Sequence, residues 1–203
     1  MTTKYGFSDV REQLIDGIKG AYPTKLEGFG TGMALGEDIF GLSKPHPNSV
    51  LNLLTEQNIK FALPYAAYRA ALSGSSSLTS DEPGTVLPHH ILASTVYGRE
   101  VIRDRLAQHA HSAVCNRSLE GCRDTACAVN AGTTPTERME GLKKIYNSMV
   151  RECKADAPFT PTLGNIVCVK CAITLETSHQ LWCTRIWEEL PRIFRVGNSW
   201  GEL

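Results

Sequence analysis

The chain has 203 residues, 42% of them apolar, with 21 basic side chains against 21 acidic ones. That length can bury a sizeable core, and the charge balance argues against a nonspecific nucleic-acid binder, which needs a basic excess. No run approaches the roughly 18 apolar residues a membrane span requires, and Met1-Thr2-Thr3-Lys4 leads into polar sequence rather than an apolar signal segment, so an intracellular protein, cytoplasmic or nuclear, is expected.

The first helix is predicted over residues 7–21. Ser8 caps it, and Val10, Leu14 and Ile18 recur every four residues on one apolar face; Gly20 and Pro23 end it. Residues 27–41 then carry Gly28, Gly30, Gly32, Gly36 and Gly41, which argues against a long helix. A phosphate-binding loop would need a lysine and a hydroxyl residue at a following helix start. Gly32 is followed instead by Met33-Ala34-Leu35-Gly36-Glu37-Asp38, whose acidic pair repels phosphate, so the segment reads as an irregular loop.

A second helix runs from Pro47 or Asn48 to Gln57. Pro47 suits the first turn, Val50, Leu51, Leu53 and Leu54 make a broad buried face, and Asn58 fits the end. Pro64 opens a third helix through Tyr65, Ala67, Tyr68 and Leu72. Its alanines permit close packing, and both tyrosines are expected to be partly buried with their hydroxyls in water. The serine-rich stretch 74–84, ending in Asp81-Glu82-Pro83-Gly84, supplies little core and reads as a mobile loop. The expected division is residues 1–73 as an N-terminal helical portion, 74–87 as a loop or linker, and 88–203 as a helical portion bearing the cysteines. Whether the two helical portions pack as one domain is open.

Residues 87–95 read as a short helix or turn, with Tyr97 or Gly98 leading into a longer helix whose apolar positions are Val101, Ile102, Leu106 and Ala110. Arg99, Arg103 and Arg105 alternate with Glu100 and Asp104, an ordinary solvated face rather than a nucleic-acid footprint. Thr134-Pro135-Thr136-Glu137 combines a cap, a first-turn proline and an early acid. Met139, Leu142, Tyr146, Met149 and Cys153 follow at three- and four-residue spacings, which places Cys153 in the core. After Pro158 and Pro161, a final helix includes Leu175, Leu181, Trp182, Ile186, Trp187 and Leu190, and Leu190-Pro191 marks its end. Trp182, Trp187 and Phe194 are expected to anchor the C-terminus, with Cys183 among them.

The seven cysteines are the chemical signal. An odd number leaves one out of a fully paired disulfide set, and a reducing compartment favours metal ligation. Cys168 and Cys171, two residues apart, form a turn that presents both sulfurs to one tetrahedral zinc ion; redox dithiols share that spacing. Cys122 and Cys127 supply the other half of a four-sulfur site, with Cys115 competing for one of those first two places. A zinc ion held by Cys122, Cys127, Cys168 and Cys171 would be structural, joining a loop after the central helix to the start of the last one. A reduced metal-free set, or disulfide and redox use, are the alternatives.

The histidines give no catalytic metal motif. His89 and His90 are adjacent and point about 100° apart on a helix. His109 and His111 are a poor helical pair, and no His-Glu-x-x-His run is present. The serines at 75–77 sit in low-complexity sequence rather than in a nucleophile elbow, so no catalytic residue is assigned.

Several of these features recur together elsewhere. The opening amphipathic segment Phe7 to Thr24, His46-Pro47, the helical stretch Leu51 to Ile59, the alanine-rich helix after Pro64, the paired cysteines and the ending Trp187-Glu188-Glu189-Leu190-Pro191-Arg192-Ile193-Phe194 are in one order across most of the chain. In this the chain resembles the helical region that follows the BTB/POZ fold in a large group of fungal proteins. The resemblance implies Cys122, Cys127, Cys168 and Cys171 as a zinc cluster. The chain starts where the BTB fold of such proteins would already have ended, so BTB-mediated dimerisation, repressor assembly and cullin adaptation do not carry over. The expectation is an all-α, irregular helical domain with a zinc-stabilised C-terminal portion. It would work as a protein-interaction or scaffolding module with an unknown protein partner or by self-association. The alternative is an enzyme acting on a small molecule in a cleft between the helical portions.

Overall fold

The computed structural model describes residues 5–26, 46–73, 78, 82–114, 122, 127, 135–151 and 167–203. The glycine segment, most of the serine-rich stretch, Cys115, Cys153, Pro158 and Pro161 lie outside these residues. Every regular element described is helical. They are α1 (Tyr5–Ala21), α2 (Pro47–Glu56), a 3-10 turn (Lys60–Ala62) leading into α3 (Leu63–Leu72), α4 (His89–Val114), α5 (Pro135–Arg151), α6 (Val169–Ile193) and a closing 3-10 turn (Trp200–Glu202). No strand occurs among the described residues, and none of their helices is long and apolar enough to cross a membrane.

Local chemistry sets several of the ends. His46 caps α2, its Nδ1 accepting the Asn48 N–H at 3.2 Å, and Pro47 occupies the first turn where its missing N–H costs nothing. At the other end Asn58 takes a left-handed conformation with φ 53°. Its N–H reaches the Thr55 carbonyl at 3.1 Å, and the Ile59 N–H reaches the Leu54 carbonyl at 2.9 Å. This paired closure satisfies the last carbonyls of the helix, and asparagine tolerates the backbone it needs.

The chain divides into two compact units: Met1–Arg99 with Trp187–Leu203, and Glu100–Ile186. In the first, α2 packs on α3, and Leu51 and Leu54 of α2 are buried. Ala66, Ala67, Ala70 and Ala71 present almost no side-chain bulk and are all buried. Tyr65 and Tyr68 are each 1% exposed, so both are core residues rather than half-buried ones. Tyr65 lies edge-on to Tyr22 with ring centroids 5.8 Å apart and tilts against Trp187 at 5.4 Å. Full burial of each such ring is worth roughly 1.5–3 kcal/mol. Burial pushes the Tyr22 hydroxyl up to about 12 and raises that of Tyr65 in the same direction, so both stay neutral. The Trp187 indole N–H donates to the Thr24 carbonyl at 3.0 Å, fastening the residues after α1 to the C-terminal part of the chain.

Residues 82–87 are held against α2. Thr85 donates its N–H to the Glu82 carbonyl at 3.0 Å around Gly84, whose φ of +80° suits glycine. Buried Asn48 donates from Nδ2 to the Thr85 carbonyl at 3.1 Å, and Asn52 donates to the Val86 carbonyl at 2.9 Å.

Two expected helix boundaries are absent. α4 runs unbroken from His89 through Gly98, where a break was expected. Gly98 is there for space: a Cβ at this position would overlap the Phe194 ring. α6 likewise continues past Leu190 with Pro191 inside it. Proline cannot donate to the carbonyl four residues back, that of Trp187. The Trp200 indole N–H takes over that acceptor at 2.8 Å. α6 then closes as α2 does, with Arg195 in the left-handed region at φ 57° and the Val196 N–H on the Pro191 carbonyl at 2.9 Å. The Arg195 guanidinium lies 4.3 Å from the Tyr97 ring centroid, an attraction that offsets the backbone cost of a non-glycine residue there.

In the second unit the buried face of α6 runs Cys171, Leu175, His179, Cys183, Ile186, a spacing of three and four residues. Leu181 falls off this stripe and is 61% exposed, because His179 and Cys183 occupy the inward positions beside it. Met139, expected inward on α5, is 66% exposed for the same geometric reason, with Leu142 and Ile145 facing the core. On α1, Leu14 is also exposed while Ile18 is buried.

Candidate metal centre

The cysteine cluster is built on the head of α6. Cys168 directly precedes the helix and accepts its first bond, from the Ala172 N–H at 2.9 Å. Cys171 lies in the opening turn, so its side chain returns to the same side as that of Cys168. Cys122 and Cys127 complete the group, and the four sulfurs lie within 4.8 Å of one another. Cys122 Sγ and Cys168 Sγ are 3.7 Å apart. Four sulfurs at zinc's bond length of about 2.3 Å form a tetrahedron with edges of about 3.8 Å. A disulfide would need about 2.05 Å, so these are separate thiol groups. The cluster therefore has the ligand type and spacing to coordinate a metal ion.

Its surroundings are apolar. Cys127 and Cys171 are 1% and 3% exposed and pack with Ala110, Ala113, Ile145, Val167 and Leu175. Cys122 and Cys168 are half-buried at the edge of that core. The Cys171 N–H directed at Cys168 lowers that thiol's pKa, while burial, with the neighbouring sulfurs adding to it, raises that of Cys171. A dication bound there would supply the charge that lets four close sulfurs be thiolates together. Sulfur donors select thiophilic ions such as zinc over magnesium or calcium. Were all four sulfurs to bind one ion, they would fill a tetrahedral shell and leave no position for a reacting water.

Cys183 is buried on α6 but twelve residues beyond Cys171, about 18 Å along the helix axis, and is not in the cluster. Cys115, the expected competitor of Cys122, lies outside the described residues. His89 and His90 are exposed at the start of α4.

A histidine pair went unanticipated. His109 on α4 and His179 on α6 approach with ring centroids 5.5 Å apart, and Trp182 stacks on both at 5.3 and 5.5 Å. His179 is 2% exposed, and its Nδ1 and the His109 Nε2 are buried without a protein hydrogen-bond partner. Burial, and secondarily His109, pushes His179 down to about 4, and burial lowers His109 as well, so both rings are neutral near pH 7. Only the three-residue spacing of His179 and Trp182 was visible locally; the partner on α4 had no sequence signal.

Two hollows lie among the described residues. One of about 460 Å³ in the first unit is lined by Leu51, Leu63, Ala67, His90 and Phe194, among others. The hydroxyls of Thr55, Ser94 and Thr95 along it donate to carbonyls of their own helices. A groove of about 480 Å³ in the second unit is lined by His111, Met139, Leu142, Lys143 and Tyr146. No family model, curated protein or solved structure matches the chain.

Proposed function

We propose that Cys122, Cys127, Cys168 and Cys171 hold one structural zinc ion, and that the chain is a non-catalytic protein-interaction module. The observation that carries the metal reading is the gathering of four sulfurs within 4.8 Å at the head of α6. Zinc there adds to side-chain packing: it joins the segments of Cys122 and Cys127 to a helix, beside a core of Ala110, Ala113, Ile145, Val167 and Leu175. A filled ligand shell favours a structural over a catalytic ion.

The interaction reading rests on surface chemistry. Val169 and Ile173 stand one turn apart on α6, beside the cluster, at 76% and 59% exposure. The partner in this proposal is a protein, a second copy included, in an intracellular, reducing setting that keeps the thiols available. The likeness to the helical region after fungal BTB/POZ folds belongs to the same proposal and bears on the zinc cluster alone.

The decisive experiment is metal analysis of protein purified without added metal, paired with thermal unfolding before and after strong chelation. About one zinc per chain, with cooperative structure lost on its removal, is expected. A full complement of free thiols with no metal would sink the site. Zinc removable without loss of structure would turn attention to catalytic use. Sedimentation of wild type against Val169→Asp and Ile173→Asp tests self-association; identical behaviour moves the partner to a different protein or surface.

A further inference from the structure

The four sulfurs are not equivalent, and the difference bears on how the ion would be released. Cys127 and Cys171 are enclosed at 1% and 3% exposure, whereas Cys122 and Cys168 are half-buried and reachable from solvent. The two reachable sulfurs are also neighbours at 3.7 Å. We propose that Cys122 and Cys168 are the oxidisable edge of the cluster, and that hydrogen peroxide joins them in a disulfide and thereby releases the zinc. This rests on the structural-zinc reading above.

The step balances without a further reactant. One thiolate of the pair attacks a peroxide oxygen, the O–O bond breaks, and hydroxide leaves, giving a sulfenic acid. The second thiolate attacks that sulfur, forms the S–S bond and displaces a second hydroxide. Two electrons pass from the sulfurs to the peroxide, and each hydroxide takes a proton from solvent. The sulfurs must close from 3.7 Å to about 2.05 Å. Cys127 and Cys171 alone then supply two ligands where a closed zinc site needs four, so the ion leaves. Reduction by a dithiol restores the four thiolates, which makes the release reversible.

The test uses the full chain, reduced and loaded with zinc, titrated with hydrogen peroxide in the presence of a chromogenic chelator. Free thiols are then blocked and the disulfides mapped by mass spectrometry without reduction. The expected result is stoichiometric zinc release, with the Cys122–Cys168 pairing as the first disulfide and full zinc rebinding after dithiol treatment. Cys183→Ala, outside the cluster, should release zinc at the wild-type rate. A first disulfide through Cys127 or Cys171, or zinc retained after the thiols are oxidised, overturns the redox proposal and leaves the zinc site standing. Protein that takes up no zinc at the outset overturns both. The mapping is done on wild type, so it does not depend on whether a Cys122→Ser chain folds.

Discussion

Trp200 donates its indole N–H to the backbone carbonyl of Trp187, the acceptor that Pro191 leaves vacant inside α6. The two indoles also stack with centroids 5.8 Å apart. A residue after the helix thus performs the bond that the helix cannot make for itself. Replacing Trp200 with Phe keeps a ring but strands the carbonyl, at an expected cost of about 1–3 kcal/mol in denaturant unfolding. In a Pro191→Ala background the helix regains its own N–H, and the cost of Trp200→Phe should fall by about 1 kcal/mol. Equal costs in both backgrounds would show that the carbonyl is not what Trp200 serves.

Gly98 and Phe194 make a second such pair. A methyl group at Gly98 meets the Phe194 ring, which is itself 1% exposed and cannot swing into water without loss of its burial. Although alanine is the better helix former by about 1 kcal/mol, Gly98→Ala should destabilise the protein by about 1–3 kcal/mol through overpacking. Phe194→Leu removes the ring edge, and the two substitutions should then couple favourably by at least about 0.5 kcal/mol. A stabilising Gly98→Ala on its own would mean the ring yields freely.

These pairs show which parts of the fold could be read from sequence. Pro47, Asn58 and Pro135 act within a turn or two of themselves, and the helices they bound lie where local chemistry put them. Gly98 and Pro191 look like punctuation to any local reading. Gly98 serves the ring of Phe194, and the acceptor that Pro191 leaves is served by Trp200; neither partner is implied by its neighbours. The burial of Tyr65 depends similarly on Tyr22 and Trp187, far away in the chain. The cysteine cluster was legible for a different reason: tetrahedral thiolate chemistry needs four sulfurs, so the pair at Cys168 and Cys171 itself called for a second pair. No comparable stoichiometry demands that His109 meet His179.

That histidine pair makes stability depend on pH. His179 titrates at about 4 in the folded chain against 6.5 when free. Between these values the unfolded chain binds a proton that the folded chain refuses, so stability rises with pH across the window. The contribution is fully present above about pH 6.5 and is lost as pH falls towards about 4, to a total on the order of 3 kcal/mol. His179→Phe cannot take up the proton in either state. Unfolding free energies of wild type and His179→Phe from pH 7.5 to 4.5 should diverge only in the acid half, with the variant falling less steeply. Acid release of a cysteine-bound ion acts on both chains, so the difference between the curves reports the histidine pair. Parallel curves would mean that the folded protein accommodates the charge.

Serine scanning separates the cysteines by role. Cys171→Ser replaces a buried sulfur whose fellow donors lie within 4.8 Å, and should abolish tight zinc retention and lower the thermal midpoint as chelation does. Cys183→Ser puts a hydroxyl into an equally buried place on the same helix, so it too should destabilise, by about 1–3 kcal/mol. It should nevertheless keep a full equivalent of zinc. Both variants therefore lose stability, Cys171→Ser the more, but only Cys171→Ser loses the metal, which a mere packing role for Cys171 cannot produce. Cys115→Ser supplies the remaining comparison: with Cys122 as the ligand, its zinc content stays at the wild-type level, whereas loss of the ion would transfer that place in the shell from Cys122 to Cys115.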